Sequence, residues 1–166
     1  MSAEIATYLQ ELQWVLDQIA HTLQSYPSGK LDWRPITAAA NSASAIASHV
    51  VSSTRVYVLG FGCGQAVSRE REAEFAVAGR DTEELITVIH ALSTAISAAL
   101  TALPPAALDQ RLLPPRELWG PPTDPREISA REAIVESIRH AALHLGELRL
   151  TRDLAEQADI CYEHAP

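Results

Sequence analysis

The chain of 166 residues carries 21 Asp and Glu against 13 Lys and Arg, a net charge of −8, which disfavours a nucleic-acid partner. With 47% hydrophobic and 20% charged residues it is too apolar for a disordered chain. No uninterrupted run of about 18 apolar residues predicts a membrane helix. The N-terminal residues lack the basic and apolar regions of a secretory signal, so we expect a cytoplasmic protein.

The length predicts a single domain over residues 1–166 with one hydrophobic core. Cys63 and Cys161 are too few for a disulfide framework and form no Cys-x-x-Cys pair, so we expect free thiols.

The first predicted helix runs from Ala3 to Gln24, where apolar residues recur at the three- and four-residue steps of a helix with one buried stripe. This stripe comprises Ile5, Tyr8, Leu9, Leu12, Val15, Leu16, Ile19 and Leu23. Pro27 and Gly29 end the helix. The connection from Leu31 to Ile36 contains Trp33 and is expected to pack back onto the helices.

A second helix is predicted from a cap at Asn41 or Ser42 to about Leu59, with His49 in its middle. A lone histidine on such a semi-apolar stripe is more often a hydrogen-bonded core residue than a ligand. The glycines of 60–64 are expected to stop this helix by adopting positive φ. Residues 65–80 carry the charge run 69–72 and are interpreted as a solvated connection with room for a short helix.

A third helix is predicted from caps at 81–84 to Leu103, with His90 beside its apolar stripe rather than on it. Seven of the ten prolines lie between Pro104 and Pro125, which excludes regular helix and makes this segment a long crossover. Its apolar residues, among them Leu118 and Trp119, predict a lid or small hairpin over one end of the molecule.

The last helix is predicted from Ser129 to Ala158 and begins with a capping box that pairs Ser129 with Glu132. Inside it, His140 and His144 lie about one helical turn apart, so both imidazoles leave the same face and can reach one cation. The same spacing also occurs in two hydrogen-bonded histidines that bind no metal. A third ligand elsewhere must therefore decide between the two interpretations.

Four helices with a long loop before the last predict an all-α fold, a four-helix bundle whose facing side chains can build a metal site. Gly146 inside the last helix costs about 1 kcal/mol relative to alanine, and we attribute it to the close approach of a neighbouring helix.

Three stretches in this order resemble the DinB-like family, the DinB/YfiT-type metalloenzymes. They are Leu31 to Pro35 (LDWRP), Asn41 to His49 (NSASAIASH) and His140 to Arg152 (HAALHLGELRLTR). The resemblance implies a four-helix bundle in which one histidine of the second helix and two of the fourth bind a divalent metal, commonly zinc or nickel. The implied ligands here are His49, His140 and His144. Homodimers and thiol-dependent transferases or isomerases are also implied.

Three neutral imidazoles suit zinc or nickel and leave a coordination position for water or substrate, the pattern of a catalytic site. Glu147 and Ser53 are candidates at helical spacing to hold the imidazoles by hydrogen bonds. We therefore expect a metal-dependent enzyme that activates water or a small thiol. The alternatives are a non-catalytic dimeric metal-binding or stress-response module, and chemistry at Cys63. The net charge disfavours a role in DNA repair.

Overall fold

Four long helices form the structure, a computed structural model that describes residues 1–35, 40–120 and 124–163, with side chains up to residue 158. They are α1 (Ala3–Gln24), α2 (Ala43–Thr54), α4 (Thr82–Ala102) and α5 (Ala130–Glu163), and the short α3 (Arg71–Phe75) precedes α4. The predicted all-α four-helix bundle is confirmed. The predictions for Ile36 and for the thiol of Cys161 fall outside the described part.

Side-chain oxygens begin the helices as the sequence predicts. Ser42, not Asn41, caps α2 by accepting a hydrogen bond from the Ala45 amide at 3.3 Å. Asp81 caps α4 through the Glu84 amide at 2.7 Å. Each cap satisfies an amide that has no partner within its helix, which fixes where the helix starts.

One core cluster takes apolar side chains from all four long helices. The predicted stripes of α1 and α4 are its centre, with Leu12, Ile19, Ile96 and Leu100 at most 1% exposed. Trp33 packs against this cluster, as expected for the connection after α1. The helical period therefore identified the buried faces correctly.

Helices α1 and α5 run in the same direction, because successive contacts between them follow the same order along both chains. Arg131 binds Glu4, Arg149 donates to Gln18, and Arg152 donates to Ser25. The connection that returns along the bundle is the one between α2 and α4, because the Gly79 amide before α4 donates to Asp32 after the end of α1. The segment between α4 and α5 joins neighbouring ends of these two helices, since Asp109 and Glu4 both bind Arg131 at the start of α5.

The crossover contains two 3₁₀ turns (Pro105–Asp109 and Arg116–Leu118) and two short antiparallel strands, β1 (Arg111–Leu112) and β2 (Ile128–Ser129). Leu118 and Trp119 are buried in a second apolar cluster against the end of the α2 segment and the start of α5. This agrees with the predicted small hairpin over one end of the bundle. The capping box is also confirmed: Glu132 accepts from the Ser129 amide at 2.7 Å, and Ser129 Oγ from the Glu132 amide at 3.1 Å.

The glycines after α2 do not stop the helix where the sequence predicted. Instead of ending near Leu59, the helix continues as a π-helical segment, Arg55–Gly62. A Cβ on Gly60 would lie 2.6 Å from a methyl carbon of Val67, so this glycine allows a close approach rather than a reversal. Only Gly64, with φ of 69°, makes the positive-φ turn.

The explanation of Gly146 by helix packing is wrong. A Cβ built there meets nothing within 4 Å, and the residue is exposed. Its place in α5 has no packing reason within the described part of this chain.

Helix α4 is long and apolar enough to cross a membrane by length and composition, with 33% of its most apolar window buried. Its buried residues Leu85, Ile89, Leu92, Ile96 and Leu100 belong to the core of the bundle. A core helix of a soluble protein passes the same test, so this composition is weak evidence for a membrane span.

Candidate metal centre

Three imidazoles meet between α2 and α5. Nε2 of His140 lies 3.2 Å from Nε2 of His49 and 3.2 Å from Nε2 of His144. One nitrogen from each ring lies within 4.8 Å of the others, and the group could hold a metal ion. His49 is buried, and the other two are half-buried.

Helix geometry explains how the three side chains converge. His140 and His144 project one above the other from α5, as the four-residue step predicts. His49 reaches them from the middle of α2, which packs against α5 in the bundle core. The third ligand required by the sequence argument is therefore supplied by the neighbouring helix.

Carboxylates hold the outer nitrogens of two rings. His49 Nδ1 lies 2.8 Å from Glu74 Oε2, and His144 Nδ1 lies 2.7 Å from Glu147 Oε2. Because each Nδ1 donates its proton to a carboxylate, each Nε2 presents a lone pair toward His140 Nε2. Two lone pairs thus point at one position beside His140 Nε2, where a cation could accept both. The donor set therefore fits a divalent metal with carboxylate-oriented imidazoles.

Glu74 is the centre of a buried polar network. Besides His49, its oxygens accept hydrogen bonds from Arg69 at 2.8 and 2.9 Å and from Ser52 at 2.6 Å. Burial would raise the pKa of Glu74, but the hydrogen bonds from these three partners outweigh it and lower the pKa to about 2. The carboxylate is thus ionised throughout the physiological range.

Sequence reasoning missed this network. The sequence predicts a solvated connection over residues 65–80, yet the side chains of Arg69 and Glu74 are 3% and 5% exposed. Glu74 belongs to α3, a helix of five residues, and meets His49 across 25 positions of sequence. No local pattern marks such a contact.

Of the two residues predicted to orient the imidazoles, Glu147 does so and Ser53 does not. The hydrogen bond with His144 lowers the pKa of Glu147, and Asn41 approaches its other oxygen at 3.5 Å. Ser53 lines the adjacent pocket, but no hydrogen bond joins it to the histidines in the part of the chain that the structure describes.

Burial keeps two of the imidazoles neutral. It lowers the pKa of His140 from 6.5 to about 3, with further contributions from the neighbouring His144 and His49. Burial also lowers the pKa of His49, although Glu74 partly opposes this. Neutral imidazoles are the form that binds metal, so these two side chains are ready to bind a metal ion at neutral pH.

A pocket of about 400 Å³ opens onto the three histidines. Its other lining residues come from α2 and the residues on either side of it, from α3 and the residues before it, from the crossover and from α5, and they include two arginines. They are Asn41, Ser53, Tyr57, Arg69, Arg71, Phe75, Gly120 and Glu136. A ligand in this pocket can therefore approach the inner nitrogens of the cluster from one side.

The remaining candidate residues lie apart from this site. His21 and His90 are exposed on α1 and α4 and are not part of the cluster. Cys63 is half-buried and does not line the pocket. Burial raises the pKa of the Cys63 thiol to about 11, which keeps it protonated and a poor nucleophile.

The fold and the site together define a helical-bundle protein with a three-histidine group able to hold a metal ion. The sequence profile of the DinB superfamily matches residues 11–148, and the chain belongs to this superfamily. The resemblance that the sequence motifs indicated is thereby confirmed.

The fold is similar to a solved structure of a mycothiol-dependent maleylpyruvate isomerase in which one histidine is replaced by alanine. The TM-score is 0.64 at 14% identity, over 89% of this chain and 63% of that one. This chain therefore spans less than two thirds of that protein, and the likeness shows the fold alone. None of the curated protein sequences compared with the chain matches it.

Proposed function

We propose that the protein is a metal-dependent enzyme in which His49, His140 and His144 bind one divalent ion, zinc or nickel. The observation that carries this proposal is the convergence of the three Nε2 atoms beside an open pocket. Members of the superfamily bind divalent metal, which supports it. A structural site would be closed by a fourth protein ligand.

The proposed reaction is hydrolysis or the transfer of a small thiol. A divalent ion held by three imidazoles would lower the pKa of a water or thiol in its open position. The chain's own residues orient the imidazoles through Glu74 and Glu147 and keep His140 neutral. The thiol dependence named for the structurally similar isomerase favours a thiol as the activated group. Cys63 is not needed for this chemistry.

The test is metal analysis of protein purified without a histidine tag, since nickel columns load such sites. We expect about one ion per chain in the wild type and none after His140→Ala. Thr94→Ala, on the exposed face of α4, is the control and should keep the ion. Full metal content in His140→Ala would contradict the assignment.

The same preparations should then be screened for hydrolysis and thiol transfer. Turnover that requires the loaded metal supports the enzyme. Equal turnover by the metal-free protein excludes the mechanism and leaves the alternative of a non-catalytic metal-binding or stress-response module.

We also propose that the protein is a cytoplasmic homodimer. The support for the dimer is a group of exposed apolar residues on α5, where Leu143 is 67% and Leu150 60% exposed, with Gly146 between them. Trp14 of α1 is 52% exposed and lies one turn before Gln18, which contacts Arg149. A second copy packed on α1 and α5 would cover these side chains.

A further inference from the structure

Arg71 is held beside the histidine cluster by an aromatic ring. Its guanidinium carbon lies 5.2 Å from the centre of the Phe75 ring, and the same ring lies 4.9 Å from the imidazole of His49. Phe75 therefore contacts both the cation and the candidate ligand. Both Arg71 and His49 line the same pocket.

The two arginines of this pocket differ in their partners. Arg69 is buried and its hydrogen bonds go to Glu74. Arg71 makes no hydrogen bond or ion pair with any residue that the structure describes, and its contact is with Phe75. Glu136 is the acidic residue among those lining the pocket, and it pairs with Arg139 outside it. The guanidinium of Arg71 is therefore available to a ligand.

Gly120 leaves the space that this guanidinium occupies. A Cβ at position 120 would lie 2.8 Å from Nη1 and 3.1 Å from Cζ of Arg71. Any larger residue would push the guanidinium away from its place. The crossover thus contributes a residue without a side chain where the cation lies.

Arg71 is the cation of this pocket lining that no carboxylate pairs with in the described residues, because Glu74 offsets Arg69 and Glu136 pairs with Arg139. A divalent ion held by neutral imidazoles would add two positive charges. Such a field attracts anions.

We propose that Arg71 binds the oxyanion, a carboxylate or a phosphate, of the small molecule on which the metal centre acts. This inference rests on the proposed function and adds the chemical class of the substrate. The planar guanidinium offers two parallel donors that match either oxyanion. A substrate held at one end by Arg71 would direct its reacting end toward the three Nε2 atoms.

The test uses cobalt-loaded protein and three thiols of similar length: mercaptopropionate, mercaptoethylphosphonate and the neutral mercaptopropanol. The charge-transfer absorption of a thiol bound to cobalt reports binding. In the wild type, one of the acidic thiols should bind about tenfold more tightly than mercaptopropanol, or better. Which of the two it is identifies the oxyanion.

Arg71→Gln should remove that preference without changing the cobalt content, and Gly120→Leu should weaken it by displacing the guanidinium. The matched control is Arg55→Gln, which removes an exposed arginine that does not line this pocket and should keep the preference. A wild type without preference, or an unchanged preference in Arg71→Gln, overturns the proposal.

Failure of the proposed function has a different signature: cobalt does not bind, or no thiol produces the absorption. In that case calorimetry of the same three probes with the metal-free protein tests Arg71 alone. A preference for an acidic thiol that Arg71→Gln abolishes supports the oxyanion site, and no preference overturns it.

Discussion

The two helices that supply the histidines orient the imidazoles through different carboxylates. The carboxylate on the α2 side is buried, and the one on the α5 side is partly exposed. On the α2 side, His49 donates to Glu74, whose side chain is 5% exposed and also bound by Arg69 and Ser52. On the α5 side, His144 donates to Glu147, whose side chain is 36% exposed. The first carboxylate cannot exchange its partners for water and the second can. The carboxylate that orients His49 should therefore matter far more to the stability of the fold than the carboxylate that orients His144.

The largest expected effect is that of Glu74→Gln on the stability of the metal-free protein. The substitution leaves the buried guanidinium of Arg69 without a counter-charge, which costs about 3 kcal/mol or more in comparable buried pairs. It should also lower metal affinity about 10- to 100-fold, because it replaces the charged acceptor of His49 with a neutral amide. Urea unfolding and a metal competition assay measure the two effects.

Glu147→Gln is the matched control on the other side. It should lower metal affinity in the same range but change unfolding by less than about 1 kcal/mol, since its pair with His144 is partly exposed. Equal destabilisation by both variants would show that the buried network is no more important to the fold than the exposed pair.

The pH dependence of stability should separate the contribution of a buried histidine from that of a buried carboxylate. His140 of α5 has its pKa lowered from 6.5 to about 3 by burial, so the unfolded chain takes up this proton more readily than the folded one. Its contribution is present above pH 6.5 and is lost as pH falls toward 3. The pKa of Glu74 is lowered from 4.5 to about 2, so its contribution is lost between those values.

Urea midpoints of the metal-free protein, measured from pH 8 to about pH 3, check this order of events. His140→Ala should reduce the slope of the curve between pH 6.5 and 4.5, where His49 also contributes, and Glu74→Gln should reduce the slope below pH 4.5. A wild-type midpoint that stayed constant between pH 6.5 and 4.5 would contradict the assignment to His140.

The smallest effect on the single chain is expected at the exposed apolar residues of α5. If a second copy covers Leu143 and Leu150, it also shields the pair of His144 and Glu147 from water. The difference in exposure between the two carboxylates is then smaller. Replacing both leucines with Glu should shift the mass found by light scattering from two chains to one. Unfolding of the chain itself should change by about 0.5 kcal/mol or less. Thr94→Glu on α4 is the control and should leave the mass unchanged. A wild-type protein with the mass of one chain would reject the dimer.

The sequence by itself determined the helices and one side of the site. Apolar periodicity and capping residues are local properties, so the stripes of α1 and α4, a cap at Asn41 or Ser42 and the box at Ser129 could be predicted. The spacing of His140 and His144 likewise determines that they share a face, and Glu147 lies within one turn of His144. His49 could be added only through the resemblance to a family, because it lies on another helix.

Only the tertiary structure decided the α2 side of the histidine cluster. The stretch 65–80 is predicted from the sequence as a solvated connection with room for a short helix. The packing of α3 against α2 instead places Glu74 against His49, and Arg69 and Arg71 in the lining of the pocket. Packing also decided that Gly60 allows a close contact and that Gly146 does not. These features depend on which distant residues meet. Periodicity reports the face a side chain occupies but not the partner it finds there.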